Sequence, residues 1–343
     1  MLRRKIPLGR GVVAILLCIL AFASTQTRSA SDDDSSNVSE SKESKNSDYS
    51  PPLGLQSYEP SAFGKTKNND DVGFLNIDIS VKFPLAPEIL HDLGVDDNRF
   101  FFSFTGRWGF YLGTRDSGPV VGKEYNPQLF WQHLVSCQDN FTWTRSYGEV
   151  PASQTPSGAG PCYFMFGYNH DSNGQIINSP GQYAETVRSQ GTEAALDAIS
   201  RGWDYIRFTA KYVPYSSSKN ELSLYPELKY FLADGLLQGK QEELHYWENP
   251  PDGKPRKEVD GLGFLVKYKR RLGTGVIGDG KLAVVYDTGY QDPLRFNTVR
   301  LEAGIQILQL PLVFWAEKGY MSDLSQYYRN VTGYGLQIEI GSF

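Results

Sequence analysis

A histidine and a serine lie two residues apart in the segment 167–174, which reads GYNHDSNG. Side chains at positions i and i+2 of a β-strand point to the same side of the sheet. His170 and Ser172 therefore share one strand face with the apolar residues that precede them. Asp204 begins a later strand-like stretch, and it alternates onto the same face as Ile206 and Phe208. If the two stretches pair as antiparallel neighbours, the three polar side chains meet near one rim.

These three residues supply a hydroxyl nucleophile, an imidazole base and an orienting carboxylate, which together can carry out acyl transfer. A structural alternative stays open, in which His170 and Ser172 only border the apolar stretch and Asp204 merely begins a strand. A polar side chain that faces hydrocarbon is costly and is usually functional. The chemical interpretation therefore depends on what the apolar face contacts.

The elements that position these residues are predicted to be β-strands. Their apolar and polar residues alternate, and their length is near the ~9–11 residues that a tilted strand needs to cross a bilayer. The stretches are Phe74–Leu85, Arg99–Leu112, Tyr125–Val135, Cys162–Gly174, Trp203–Val213, Leu222–Leu232, Gly263–Leu272, Lys281–Tyr290, Phe296–Leu308, Pro311–Met321 and Thr332–Phe343. A weaker stretch, Leu53–Gly64, would make twelve, and the one helical pattern is Glu193–Ser200.

The polar faces of these stretches favour a membrane protein. They carry Lys, Arg and Glu rather than the Ser and Thr of an ordinary exposed sheet, as Lys267 and Lys269 illustrate. A barrel with a lipid-facing exterior and a charged interior has this pattern. We therefore predict an all-β fold, a transmembrane antiparallel β-barrel of about 12 strands. A soluble β protein is the alternative.

Composition and charge divide the chain and exclude some partners. The chain has 343 residues and a net charge of −5, so its overall charge does not favour binding to nucleic acid.

Residues 1–23 have a basic start, an apolar run and small residues, as in a secretory signal peptide. Residues 24–52 form a Ser/Asp-rich tail that we predict to be disordered, and residues 53–343 form the barrel domain. After export, Cys137 and Cys162 are expected to form a disulfide, with two free thiols as the alternative.

Two motifs resemble the outer membrane phospholipase A family: GYNHDSNG at 167–174 and SRGWD at 200–204. The segments YNPQLF at 125–130 and KGY at 318–320 support the resemblance, which extends over about residues 74–343. It implies a twelve-stranded outer-membrane barrel that hydrolyses acyl esters of phospholipids with calcium as cofactor. It also implies that Ser172 is the nucleophile and His170 the general base. Asp204, the predicted third member, stands where better-known members carry Asn.

By the same resemblance, the Gly174 amide donates to the oxyanion and a calcium ion lies beside it. The calcium ligands are the backbone carbonyl of Gln175 and the hydroxyl of Ser200, with Ser117 of a second copy as a further ligand. Such oxygen ligands suit a hard cation. The 24 residues between Gln175 and Ser200 must fold back to bring these two ligands together. Two copies would complete a cleft for the acyl chain, so a homodimer is expected.

The sequence therefore predicts a calcium-dependent phospholipase of the A1/A2 and lysophospholipase type in the outer membrane of a Gram-negative bacterium. The expected partners are a phospholipid substrate, the surrounding outer-membrane lipid and a second copy, with no nucleic acid. Two alternatives stay open. One is a lipid A deacylase-like barrel enzyme, and the other is a non-catalytic barrel, either a channel or a structural protein.

Overall fold

A computed structural model describes residues 55–69, 73–85, 98–111, 120–135, 162–240, 254–273, 276–322 and 324–341. The predicted signal peptide and acidic tail lie outside these ranges, as do Ser117 and Cys137. Cys162 is disulfide-bonded. No helix among the described residues is long and apolar enough to cross a membrane.

Twelve long strands form one closed sheet. They are β2 (Ser61–Asn68), β3 (Gly73–Pro84), β4 (Asn98–Tyr111), β5 (Val121–Val135), β6 (Cys162–Ser172), β7 (Gly202–Ser216), β8 (Asn220–Phe231), β11 (Gly261–Arg271), β12 (Ile277–Gly289), β13 (Asn297–Ile307), β14 (Leu310–Gly319) and β15 (Val331–Ile340). Each pairs antiparallel with the next long strand, and β15 pairs with β2 to close the ring. The predicted twelve-stranded antiparallel barrel is confirmed.

Three further strands are only two residues long. They are β1 (Gln56–Ser57), which pairs with β3, and β9 (Asp234–Gly235) and β10 (Gly239–Lys240), which pair with each other. The first barrel strand covers residues 61–68 rather than the predicted 53–64, because its register is set by pairing with β15 and β3.

The outer surface of the barrel is apolar, as the alternation predicts. Exposed large side chains occur on strands all around it, including Phe166, Phe208, Leu228, Leu282, Leu301, Phe314 and Leu336. A continuous band of this kind would be unfavourable in water and is typical of a surface covered by lipid.

The inner surface is charged, and its charges are paired. Lys281 is buried, and its ammonium lies 2.8 Å from a Glu339 carboxylate oxygen and 2.9 Å from one of Glu302. Arg207 donates a 2.7 Å hydrogen bond to Glu227. Buried charges need such partners because desolvation is otherwise too costly. The lysine, arginine and glutamate face of the strands is thus the interior.

The ends of the strands define two rims. We call the rim at which β6 ends and β7 begins the upper rim. An aromatic cluster fills the barrel at this rim and includes Trp203, Tyr205 and Phe231. Three helices lie in the connecting segments at the same rim: α1 (Pro180–Gln190) and α2 (Thr192–Asp197) between β6 and β7, and α3 (Arg256–Val259) before β11. The predicted helix Glu193–Ser200 is α2, which ends three residues earlier because Ile199 forms a bridge with Ile177.

Candidate active site

The pairing of β6 with β7 brings the predicted catalytic residues together. His170 lies directly opposite Asp204, and Ser172 lies opposite Gly202 at the end of the ladder. Farther down the same face, Phe166 lies opposite Phe208, and both rings are exposed on the outside of the barrel. His170, Ser172 and Asp204 are therefore on the lipid-facing surface, just inside the upper rim.

His170 and Asp204 are in direct contact. The imidazole Nδ1 lies 2.6 Å from Asp204 Oδ1, and only 16% of the His170 side chain is exposed. A carboxylate at Nδ1 fixes the tautomer whose free Nε2 can accept a proton. The tautomer required of a general base is therefore the one that Asp204 favours.

The second oxygen of Asp204 accepts three further hydrogen bonds. The Tyr168 hydroxyl donates to Oδ2, and the backbone N–H groups of Leu237 and Gln238 donate to it over 2.7 and 3.0 Å. The Gln238 side chain accepts from the Asp204 backbone N–H. These contacts compensate the charge of a carboxylate that is 0% exposed although it belongs to the outer face.

The shield over Asp204 is the segment 232–240, which we call the strap. It leaves β8, carries the β9–β10 hairpin, and folds back over the outside of β7. A β-carbon at Gly235 would overlap the Asp204 carboxylate, so a residue without a side chain is required where the strap crosses the acid. Tyr168 also accepts a 2.8 Å hydrogen bond from the Leu236 N–H.

Two of these groups were not predicted as site residues. Tyr168 shares the alternation of His170 and Ser172, so the strand period alone contains a signal for it. The strap residues carry no such signal, because their contact with Asp204 bridges more than thirty positions of the chain.

Ser172 lies beside His170 on the outer face and is half-buried. Its hydroxyl makes no hydrogen bond to any residue that the structure describes, and neither does His170 Nε2. Catalytic hydrogen bonds are often long before substrate binds. The structure thus brings Ser172 to the same patch as the His170–Asp204 pair without an established contact to it.

The turn after Ser172 is held by Asn173, which is buried. Its Nδ2 donates to the Ile199 carbonyl over 2.7 Å and to the Ser325 hydroxyl over 2.9 Å, and its Oδ1 accepts a 2.8 Å hydrogen bond from the Arg201 N–H. The next residue, Gly174, is exposed and has a φ of 57°, a left-handed conformation that suits glycine. The predicted oxyanion donor is therefore accessible at a fixed turn.

The insertion between Gln175 and Ser200 folds back on itself, as predicted. The Ser200 N–H donates a 2.8 Å hydrogen bond to the Ile177 carbonyl, and Ile177 bridges Ile199 in parallel. Helices α1 and α2 occupy the returning segment. The ends of the insertion, and with them Gln175 and Ser200, are consequently close together.

The oxygen atoms at this point fit a hard cation. The Gln175 carbonyl and the Ser200 hydroxyl both lack a hydrogen-bond partner among the described residues. Carbonyl and hydroxyl oxygens are ligands that calcium accepts. The described part of the chain holds no group of three His, Cys, Asp or Glu arranged as a metal site.

Behind the site, the inward-facing residue between His170 and Ser172 belongs to a buried ion cluster. Asp171 accepts a 2.6 Å hydrogen bond from Arg256, which also donates to Asp260 over 3.0 Å. Burial opposes ionisation of Asp260, but Lys229 and Arg256 outweigh burial and lower the Asp260 pKa to about 2. The Arg256 guanidinium lies between two aromatic rings, 4.6 Å from the centroid of Trp203 and 4.9 Å from that of Phe231.

No protein-family model and no curated protein sequence matches the chain. Solved structures of outer-membrane proteins share its architecture, among them the following three. The outer membrane phospholipase A from Escherichia coli is 18% identical, with a TM-score of 0.54 over 84% of this chain and 94% of that chain. An active-site mutant of the same protein is 19% identical, with a TM-score of 0.53 over 85% and 94% of the two chains. The outer membrane phospholipase from Salmonella typhi, a dimer with bound calcium, is 18% identical, with a TM-score of 0.51 over 84% and 92%.

These similarities establish the fold. The chain is an outer-membrane-type β-barrel, and its apolar exterior agrees with that architecture. Fold, exterior and neighbours together support the predicted location in the outer membrane of a Gram-negative bacterium.

Proposed function

We propose that this chain is an outer-membrane phospholipase that hydrolyses acyl ester bonds of glycerophospholipids, of the A1/A2 and lysophospholipase type. The observation that carries the proposal is the 2.6 Å contact between His170 and Asp204 on the lipid-facing surface, two residues from Ser172. A membrane lipid can reach this patch without leaving the bilayer. Solved barrels with the same fold that are phospholipases support the substrate class.

In the proposed reaction, Ser172 Oγ attacks the ester carbonyl while His170 Nε2 accepts its proton. Asp204 holds the imidazole through Nδ1 and stabilises the imidazolium that forms. The Gly174 N–H donates to the oxyanion of the tetrahedral intermediate. His170 then donates the proton to the leaving alcohol, and a water molecule activated in the same way releases the fatty acid.

Calcium is proposed as the cofactor, held by the Gln175 carbonyl and the Ser200 hydroxyl, with Ser117 of a second copy as a further ligand. When bound there it would polarise the ester carbonyl as a Lewis acid. A homodimer is proposed with it, because the third ligand comes from the partner copy. The Salmonella neighbour, a dimer with bound calcium, supports both parts of this proposal.

The proposal is tested by fatty-acid release from phosphatidylethanolamine by the purified full chain, with and without a calcium chelator. We expect release that Ser172→Ala abolishes and chelation suppresses. Fatty-acid release by Ser172→Ala at the wild-type rate would disprove the role of Ser172 as the nucleophile. Release that the chelator does not change would disprove the role of calcium as the cofactor. Hydrolysis of lipid A in place of phosphatidylethanolamine would favour a lipid A deacylase. Absence of any hydrolysis, together with ion conductance in planar bilayers, would favour a non-catalytic channel.

A further inference from the structure

The strap presents two different surfaces. Its backbone faces the barrel, where the N–H groups of residues 236–238 bind Tyr168 and Asp204. Its side chains at the turn face away. Leu236 is 87% exposed and Leu237 is 61% exposed, and Leu236 has the highest exposure of the large apolar residues that the structure describes. The two leucines thus belong to the segment that holds the catalytic acid, yet most of their side-chain surface is left uncovered by the residues that the structure describes.

The surroundings of these leucines indicate what covers them. The strap continues from β8, whose Leu228 and Tyr230 are exposed on the outer face. The sequence from Gly235 to Gly239 contains no charged residue. The exposed turn therefore extends the apolar exterior of the barrel up to the rim. Apolar side chains in such a position are favourable when hydrocarbon removes them from water.

We propose that Leu236 and Leu237 insert among the acyl chains of the surrounding lipid, and that this contact holds the strap in its position over Asp204. The strap would then be a lipid-dependent positioning element for the His170–Asp204 pair. This inference rests on the proposed function. The occupant is the bilayer lipid, because the leucines continue the exposed apolar face of β8 at Leu228 and Tyr230; coverage by a second copy is an outcome that the test below distinguishes.

The first experiment measures lipid contact without reference to activity. The variant Leu236→Cys carries an environment-sensitive NBD label, and the full chain is reconstituted in phosphatidylcholine vesicles. Leu228→Cys on the outer face of β8 is the lipid-side reference, and Ser189→Cys on the exposed surface of α1 is the water-side reference. We expect Leu236 to resemble Leu228, with blue-shifted emission that brominated acyl chains quench and iodide does not.

Two outcomes of this experiment overturn the lipid contact. Emission like that of the Ser189 reference would place the turn in water. A blue shift that disappears when the ratio of protein to lipid is lowered tenfold would show that a second copy covers the leucines instead.

The second experiment measures positioning. The double variant Leu236→Asp/Leu237→Asp is compared with Leu294→Asp, which changes a 70% exposed leucine in the loop between β12 and β13 at the same rim. We expect the double variant to lower kcat for phosphatidylethanolamine in bilayers at least tenfold with little change in KM. Leu294→Asp and the conservative variant Leu236→Met/Leu237→Met should retain the wild-type kcat. Folding is checked by the mobility difference between boiled and unboiled samples in detergent gels.

The failure of this inference is distinguishable from that of the proposed function. If the wild type hydrolyses phosphatidylethanolamine and the folded double variant has an unchanged kcat, the strap does not position the acid. If the wild type hydrolyses no glycerophospholipid, the proposed function fails, and the labelling result alone decides whether the leucines contact lipid.

Discussion

The Arg256 guanidinium donates a 2.6 Å hydrogen bond to Asp171 inside the barrel, at the strand position between His170 and Ser172. Both side chains are only 2% exposed. Because alternate residues of β6 face opposite sides, a buried ion pair on the inner surface holds the same stretch of backbone that presents the candidate catalytic residues outside. The ion pair on the inner face of β6 therefore helps to fix the backbone from which His170 and Ser172 project on the outer face.

The first prediction concerns this pair. Arg256→Met should destabilise the barrel more than Asp171→Asn does. Loss of the arginine leaves two buried carboxylates, Asp171 and Asp260, without their common partner, at a cost of roughly 3–5 kcal/mol. Asp171→Asn removes one charge and leaves Arg256 paired with Asp260. The thermal transition from the folded to the unfolded gel mobility measures the difference, and equal transitions for both variants would contradict it.

The second prediction concerns the identity of the acid. Asp204→Asn should lower kcat by on the order of 10²–10⁴-fold while the barrel stays folded. One oxygen of Asp204 contacts His170, and the other already accepts from Tyr168, Leu237 and Gln238. An amide that keeps its oxygen toward these donors turns its NH₂ toward His170 Nδ1, which favours the wrong tautomer. A wild-type rate for this variant would show that the strap donors do not constrain the orientation of the side chain at position 204.

The third prediction concerns the crossing of the strap over Asp204. Gly235→Ala should lower kcat about 10–10²-fold, because its β-carbon would overlap the carboxylate and displace either the strap or the acid. Gly181→Ala is the matched control, since a β-carbon at Gly181 has no neighbour within 4 Å. Steady-state hydrolysis by the two variants is compared, and an equal effect of both would argue against a specific overlap at Gly235.

The fourth prediction concerns pH. The Asp260 pKa is lowered from 3.8 to about 2 by Lys229 and Arg256, which outweigh the opposing effect of burial. A carboxyl group with a lowered pKa in the folded state stabilises that state above its unfolded pKa, and this contribution is lost as the pH falls through the folded value. It amounts to about 2 kcal/mol. Asp260→Asn should therefore lower the thermal transition at pH 6, and its difference from wild type should shrink between pH 4 and pH 2.

The Asp292→Asn variant is the control for this prediction, because the Asp292 side chain is exposed and its ion-pair partner among the described residues is the exposed Arg295. It should shift the transition little at either pH. A difference between Asp260→Asn and wild type that is as large at pH 2 as at pH 6 would refute the assigned linkage.

The strands and the contact between His170 and Asp204 could be predicted from the sequence, because both follow from the alternation of apolar and polar residues. The predicted stretch Cys162–Gly174 differs from β6 by two residues at one end. The shared face of His170 and Asp204 follows from parity once β6 and β7 are neighbours. Local patterns of this kind need no information about distant parts of the chain.

The remaining features depend on distant contacts or lack a local pattern. Helix α1 has no buried residue, so no apolar period marks it, although Ser179 caps it and Pro180 begins it. The strap and Arg256 reach the site only through contacts that bridge 33 to 85 positions, such as Leu237 with Asp204 and Arg256 with Asp171. Which loop folds onto which strand is decided by the closed barrel and not by any short segment.

The way the insertion is closed has a practical consequence. Asn173 and the Ile177–Ile199 bridge tie its two ends together beside the rim, while α1 lies beyond that closure with no side chain committed to the interior. A foreign peptide inserted within residues 181–190 would lie beyond the upper rim without altering the geometry at the base of the insertion. The barrel would then serve as a scaffold that presents the peptide at this rim.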